Sequence, residues 1–322
     1  MNCLPVETLS LPTPYPVGPV NVYVIAAEPV TMIDAGVNTV DAENALKLGF
    51  AAKGMFLESV DRILITHGHP DHYGLVPVVQ QISGAEAHMG EAEVERITDT
   101  REFWELRRLL LEAGFPEDTL EALADRERRL HRLHREDQLN FNPVFEGSFF
   151  EFRDFTFEAI SLPGHTGGHI GYFEPQTSTL FAGDTLLARV GLNPLLDPIL
   201  EPEGESPIHR RRSLKQYLDS LERLEGLSLE RVYPGHGPVI NDPGQTIFYM
   251  REHYARRLDV VCETLGSQGK TAYQISTRLY PSNAGDPFLA VSEIIAHLDV
   301  LVEHGRAKHE LSDAGVEYFS LT

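Results

Sequence analysis

Sulfur is scarce in this chain of 322 residues, which holds two cysteines, Cys3 and Cys262, and five methionines. A disulfide framework is therefore excluded, and neither cysteine sits near the clustered histidines described below. Long apolar runs are missing too: no stretch of 18 apolar residues occurs, so nothing in the sequence reads as a membrane span. Residues 1–19 carry five prolines, one acidic residue and no basic one. That is neither the charged start nor the apolar middle of a signal peptide, and a cytoplasmic location is the default expectation. Bases are few, with 27 Lys and Arg against 48 Asp and Glu, a formal charge of −21. Such a field repels a polyanionic partner unless a local basic patch intervenes.

What remains is ordinary for a folded protein, with 42% hydrophobic and 23% charged residues. A chain of this length buries enough surface to fold without staples, and a main domain plus an appendage is the natural expectation. Short strands are expected at 20–25, 30–34, 62–66 and 85–89, with a helix at 40–53. The pattern then changes: Phe103, Trp104, Leu106, Leu109, Leu110 and Leu111 recur at helical spacing before Gly114 and Pro116, and a second helix spans 117–136. This helical insertion, about 91–137, reads as a packed hairpin or as a lid. Strands resume at 149–152, 156–160, 170–173 and 179–182. A proline-rich loop covers 194–207, a helix 213–224 and a last strand 231–233. Beyond a helix starting near 247 lie two further helices, 271–280 and 286–304, and a hairpin pairing 306–311 with 316–321. Helices followed by a hairpin outline a winged helix. The expected division is 1–250 for the main domain and 251–322 for the smaller unit with its connecting helix.

Chemistry concentrates in Thr66-His67-Gly68-His69-Pro70-Asp71-His72, at the end of an expected strand, where loops present functional groups. Four metal-capable side chains fall within six residues, and Gly68 lets the chain turn so that His67 and His69 converge. Three later turns offer partners in the same way: His165 within Pro163-Gly164-His165-Thr166-Gly167-Gly168-His169, Asp184 after Ala182-Gly183, and His236 within Pro234-Gly235-His236-Gly237. Each alone is more often structural. Together they form an ordered set.

That order resembles the metallo-β-lactamase superfamily, over about residues 15–245. The resemblance implies an α/β fold, the αββα sandwich, here with a helical insertion and a C-terminal winged-helix domain. It further implies that His67, His69 and His165 bind one divalent metal, that Asp71, His72 and His236 bind a second, and that Asp184 bridges the two. Imidazole and carboxylate suit zinc, while iron or manganese also accept this set. Asp34 resembles the family's early aspartate, orienting a histidine ligand from behind, and His169 is read as a supporting residue rather than a ligand. His88, His131, His134, His209, His253, His297, His304 and His309 are assigned to surface or helix positions.

Two such metals activate a hydroxide at neutral pH, with Asp71 and Asp184 orienting it and relaying its proton. The expected reaction is hydrolysis of a small thioester or ester, such as an anionic acyl-thiol conjugate. The alternative is single-stranded RNA cleavage, since residues 290–298 resemble the winged helix of β-lactamase-like endoribonucleases. Two basic clusters favour that alternative: Arg126, Arg128, Arg129, Arg132 and Arg135, and His209-Arg210-Arg211-Arg212. An iron-dependent sulfur oxygenase and a non-catalytic binding protein rank below. His69 stands where flavodiiron oxygen reductases carry a carboxylate, which weakens a flavodiiron reading. A homodimer through the C-terminal unit or the insertion is a further expectation.

Overall fold

A computed structural model describes residues 4–99, 101–121, 139–188, 194–199, 210–281 and 286–322. Its centre is a pair of sheets. The first holds, in spatial order, β1 (Val6–Leu11), β2 (Val20–Ile25), β3 (Thr31–Ile33), β4 (Arg62–Leu64), β5 (Glu86–Gly90) and β6 (Asn142–Val144). β1 to β3 pair antiparallel and β3 to β6 parallel. The second sheet is built from β7 (Phe149–Glu151), β8 (Thr156–Ser161), β9 (Ile170–Glu174), β10 (Thr179–Gly183) and β11 (Arg231–Pro234). Its order is β11-β10-β9-β8-β7, with the β10–β11 pair parallel.

The apolar runs explain the layering. All six residues of β2 are buried, as expected of a strand covered on both faces. Tyr23, Ile25, Ile33 and Leu64 of the first sheet meet Phe157, Tyr172 and Phe181 of the second in a core between the sheets. The outer face of the first sheet is covered by α1 (Val40–Ala52) and α3 (Val76–Ser83), through Leu46, Phe50, Val76 and Val79. The outer face of the second is covered by α6 (Ser213–Gly226) and α7 (Pro243–Thr264), with Leu214, Tyr217, Leu221 and Tyr254 facing inward. Helix, sheet, sheet, helix is the architecture expected from the ligand motif.

The short α2 (Pro70–Tyr73) follows β4, while α4 (Glu91–Thr98) and α5 (Arg101–Glu112) follow β5. The insertion thus opens with two helices where the apolar spacing indicates one. Asp99 ends the first, and its carboxylate accepts the Arg101 N–H at 2.8 Å to start the next. Of the helix expected at 117–136, residues 117–121 are helical and the remainder lies outside the described residues, as do the arginines of the first basic cluster, His131, His134 and His209. β1 and β6 escape the sequence reading. β6 is a three-residue strand containing Pro143, and β1 sits beside a proline-rich stretch.

The C-terminal residues form α8 (Ala272–Leu279), α9 (Pro287–Glu303) and a hairpin of β12 (Ala307–Leu311) and β13 (Glu317–Leu321). α7 runs unbroken through residue 250, and one apolar cluster continues from Leu180 and Val232 through Tyr254 to Ile275, Ile295 and Phe319. Every α9 residue from Ile294 to Leu301 is buried, so this helix offers no free face to a groove. The second basic cluster is corrected here as well. Arg210 is 3% exposed and forks onto Asp299 at 2.7 and 3.0 Å while reaching Glu317 at 2.7 Å. Arg212 joins Asp299, and Arg211 lies 3.4 Å from Asp197. These side chains are neutralised within the protein and make no patch for a polyanion, so the RNA expectation loses its described footing. No helix among the described residues is long and apolar enough to cross a membrane.

Candidate metal centre

Five chain segments end at one edge of the sandwich. Asp34 follows β3, the His67–His72 loop follows β4 into α2, His165 follows β8, Asp184 follows β10 and His236 follows β11. Pairing brings these ends together: Ser161 at the end of β8 faces Ile170, and Gly183 at the end of β10 faces Pro234 at the end of β11. All seven residues expected as ligands meet there. His67 Nε2 and His165 Nε2 lie 3.0 and 2.9 Å from His69 Nδ1, so three ring nitrogens converge. His236 Nε2 is 3.4 Å from an oxygen of Asp71. Asp184 stands between the groups, one oxygen 3.6 Å from His72 Nε2 and the other 3.6 Å from both His165 Nε2 and His236 Nε2. Three sets of donors are close enough to share a cation: His67, His69 and His165; His67, His72 and Asp184; and Asp71, His72 and His236.

The outward-facing nitrogens decide which atoms point in. His236 Nδ1 lies 2.8 Å from the Pro19 carbonyl, which can only accept, so this nitrogen carries the proton and Nε2 presents a lone pair. His72 Nδ1 donates to Asp34 in the same way at 2.8 Å. The Asp34 carboxylate also accepts from Thr66, N–H and hydroxyl, at 2.9 and 3.0 Å, and Thr66 Oγ1 meets His67 Nδ1 at 3.1 Å. Asp34 itself sits at φ 59°, a left-handed conformation that aspartate tolerates better than most residues. Buried and without a hydrogen-bond partner among the described residues are His72 Nε2, His236 Nε2 and Asp184 Oδ1. Buried lone pairs aimed at one another and left unpaired are costly, and a cation resolves the cost. The donor set fits a divalent metal.

Electrostatics agree. Burial, reinforced by the surrounding imidazoles, holds His67, His69 and His165 well below the ordinary histidine range, neutral and able to donate lone pairs. Burial also opposes charge on His72, but Asp34, Asp184 and Asp71 outweigh it and raise its pKa to about 10. The carboxylate field that holds a proton there favours any cation. Burial raises the Asp184 carboxyl above its usual value. Gly235 belongs to this packing: a Cβ there would run into Asp184 Oδ1 and come within 2.7 Å of His72 Cε1.

His169 is fully buried, stacked on His67 with ring centroids 4.9 Å apart. Its Nε2 accepts the Asp184 N–H at 3.2 Å and its Nδ1 meets Thr185 Oγ1 at 3.2 Å, so both nitrogens are used away from the donor cluster. Two residues escape the sequence reading. Glu93 on α4, fully buried, accepts backbone N–H groups from Gly68 at 2.7 Å and Gly168 at 2.8 Å. Arg96 donates to the Gly68 carbonyl at 2.7 Å and to Glu93 at 3.2 Å. Neither belongs to a histidine-rich motif, and an i, i+3 Glu–Arg pair on a helix reads as a solvated face. His297 is a helix residue as expected, but an interior one, with Nδ1 2.7 Å from the Glu293 carbonyl. A cavity of about 540 Å³ opens behind the His165 loop, lined by Arg96, Glu102, Gly167, Asp197 and Arg211 among others and by none of the seven donors.

Such a sandwich, with its histidines and aspartates gathered at one edge, defines a metal-dependent enzyme class. The family model for the metallo-β-lactamase superfamily matches residues 15–236. The probable metallo-hydrolase YqjP of Bacillus subtilis is 31% identical over 302 residues, covering 92% of each chain. The hydroxyacylglutathione hydrolase GloC of Haemophilus influenzae is 34% identical over 125 residues, which is 38% of this chain and 49% of that one. Among solved structures, the metallo-beta-lactamase family protein TTHA1429 of Thermus thermophilus superimposes with a TM-score of 0.81 at 28% identity, covering 99% of both chains. The chain belongs to the metallo-β-lactamase superfamily and is an enzyme of that fold.

Proposed function

We propose that the protein hydrolyses a small thioester or ester at a two-metal centre. In this reading His67, His69 and His165 hold one cation, Asp71, His72 and His236 hold the other, and Asp184 bridges them. Asp184 carries the argument: its two oxygens face histidines of both sets at 3.6 Å, which is what a shared ligand requires. Nitrogen and oxygen donors without sulfur suit zinc, and iron or manganese are the other candidates. Bound there, divalent cations supply Lewis acidity, acidifying a water toward neutral pH and polarising the acyl carbonyl.

The remaining work falls to the chain. Asp71 and Asp184 orient the attacking water by accepting its hydrogen bonds, and Asp71, held below the ordinary carboxylate range by His72 and His236 against the cost of burial, stays ionised to do so. His67 and His236 are locked with their protons outward, so neither competes for that water as a donor. No serine or cysteine nucleophile is needed. The thioester class is favoured by the similarity to a hydroxyacylglutathione hydrolase, whose named substrate is an acylated thiol. We assign the metal centre to residues 1–250 and a supporting role to the winged-helix-like residues 251–322.

The test is a panel of thioesters, lactones and simple esters assayed before and after chelation, with zinc, iron or manganese added back and bound metal counted. Thioester turnover that disappears with chelator and returns with two equivalents of metal is expected. Asp184→Ala should lower kcat/KM by about 10³-fold, roughly 4 kcal/mol of transition-state stabilisation, and should reduce bound metal. Full metal content with retained turnover in that variant would refute the bridging role.

A further inference from the structure

Glu93 connects two loops that the sequence places about a hundred residues apart. One oxygen accepts the Gly68 N–H, between His67 and His69, and the other accepts the Gly168 N–H, three residues after His165. Both oxygens of a fully buried carboxylate are thus spent on the backbone of the segments that carry the first three histidines. Arg96, one turn later on α4, closes the arrangement by donating to the Gly68 carbonyl at 2.7 Å, to Glu93 at 3.2 Å and to Glu102 at 3.0 Å. The fit is close. A Cβ on Gly68 would lie 2.7 Å from the Glu93 oxygen and 2.9 Å from the Arg96 guanidinium, although the φ of Gly68 is not positive. Glycine is needed at 68 so that this carboxylate can approach, rather than for a left-handed turn.

The other three donors are held differently. His72 is oriented by Asp34 and His236 by the Pro19 carbonyl, each at 2.8 Å. Among the described residues, the hydrogen bonds of Glu93 and Arg96 reach neither of these histidines nor Asp71. The two halves of the centre therefore rest mainly on different scaffolds, one on α4 and one on the ends of β2 and β3, and the β3 scaffold also reaches His67 through Thr66.

We propose that Glu93, backed by Arg96, is a positioning residue for one half of the centre, setting the spacing between the His67–His69 loop and the His165 loop and hence the affinity for the cation those three histidines bind. The assignment rests on the two-cation reading above. Its physical basis is the narrow tolerance of metal coordination: donor distances must hold to within about 0.2 Å, and residues that orient ligands from behind typically contribute 10- to 100-fold in affinity. A charged carboxylate accepting two N–H groups is a strong way to hold two loops at fixed separation, because each bond is charge-assisted.

The experiment measures metal binding rather than turnover. Metal-depleted full-length protein is titrated with Zn²⁺ by calorimetry and by competition with a chromogenic chelator, for wild type, Glu93→Gln, Asp34→Ala and the double variant. Glu93→Gln keeps size and shape but replaces one acceptor oxygen by an amide. It should retain one equivalent at wild-type affinity and weaken the other by about 10- to 100-fold. Asp34→Ala should weaken the opposite equivalent most, through His72, with a smaller loss on the His67 side through Thr66, so the double variant should hold neither tightly. Two wild-type affinities in Glu93→Gln, or a parallel weakening of both, would overturn the proposal. So would a double variant that keeps one tight equivalent, since both residues would then serve the same half. A wild type that takes one equivalent sinks the two-cation reading instead. Glu93→Gln must then weaken that single equivalent for the positioning role to stand, and unchanged affinity ends it. A wild type that binds no metal ends both. Should Glu93→Gln fail to fold, Arg96→Gln probes the same clamp from the Gly68 carbonyl side, with the same one-sided loss expected and the same contrary outcomes.

Discussion

Three of the inward-facing imidazoles, those of His67, His72 and His236, are defined by what their other nitrogen touches. Pro19, Asp34 and Thr66 contribute no donor to the centre, yet they select the tautomers of His236, His72 and His67. The same scale offers a pH prediction away from the donors. Asp197, 8% exposed, is a carboxyl whose ionisation the fold resists: burial outweighs Arg96 and Arg211 and lifts its pKa to about 6. The folded state then binds this proton more tightly than the unfolded chain, whose carboxyl titrates near 3.8. The resulting stability is complete below the unfolded value and is lost as pH rises through about 6. Asp197→Asn imitates the protonated form at every pH, so it should gain about 1–3 kcal/mol over wild type at pH 8 and almost nothing at pH 4. Thermal unfolding at the two pH values checks this, and an equal shift at both would contradict it.

At the scale of elements, the segment before α6 does what its composition hides. Three consecutive arginines suggest a binding strip, yet Arg210 and Arg212 are drawn into α9 and β13 by Asp299 and Glu317. Between them, Arg211 lies beside Gly167 in the His165 loop and lines the flanking cavity. The C-terminal helices are thereby tied to the wall of the site as well as to the core. Arg210→Met should leave two buried carboxylates short of their main partner and lower stability by about 3–5 kcal/mol. A urea titration with unchanged slope and a lower midpoint is the expected result. A shift under about 1 kcal/mol would mean that Arg212 beside Asp299 and His309, on β12 with Nε2 3.2 Å from Glu317, suffice as partners.

At the scale of the whole molecule, a formal charge of −21 with Arg210, Arg211 and Arg212 internally paired leaves little to attract a nucleic acid. Single-stranded RNA should therefore show no binding whose affinity falls steeply between ~50 and ~200 mM salt, the mark of phosphate contacts. Filter binding across that range decides it, and a steep dependence would restore the endonuclease alternative. The architecture serves the small-molecule reading well, since two packed sheets hold five loop ends rigidly at one edge while the helices cover the outer faces.

The candidate donor set was legible in the sequence because coordination chemistry restricts residue type and local spacing: histidines and aspartates at turns after apolar strands have few other reasons to recur in that order. His67, His69, Asp71, His72, His165, Asp184 and His236 were all identifiable by their order, which resembles that of the metallo-β-lactamase superfamily, and the sandwich followed from that resemblance. The short edge strands β1 and β6 were not, since prolines obscure their period. Nor were the roles of Glu93 and Arg210. A buried carboxylate or guanidinium has the same local sequence as an exposed one, and its partners, such as Gly168 for Glu93 or Asp299 for Arg210, lie 75 and 89 residues away. Local chemistry determined which groups could hold a metal. Long-range packing decided which groups hold those groups, because burial and hydrogen bonding exist only once distant segments have met.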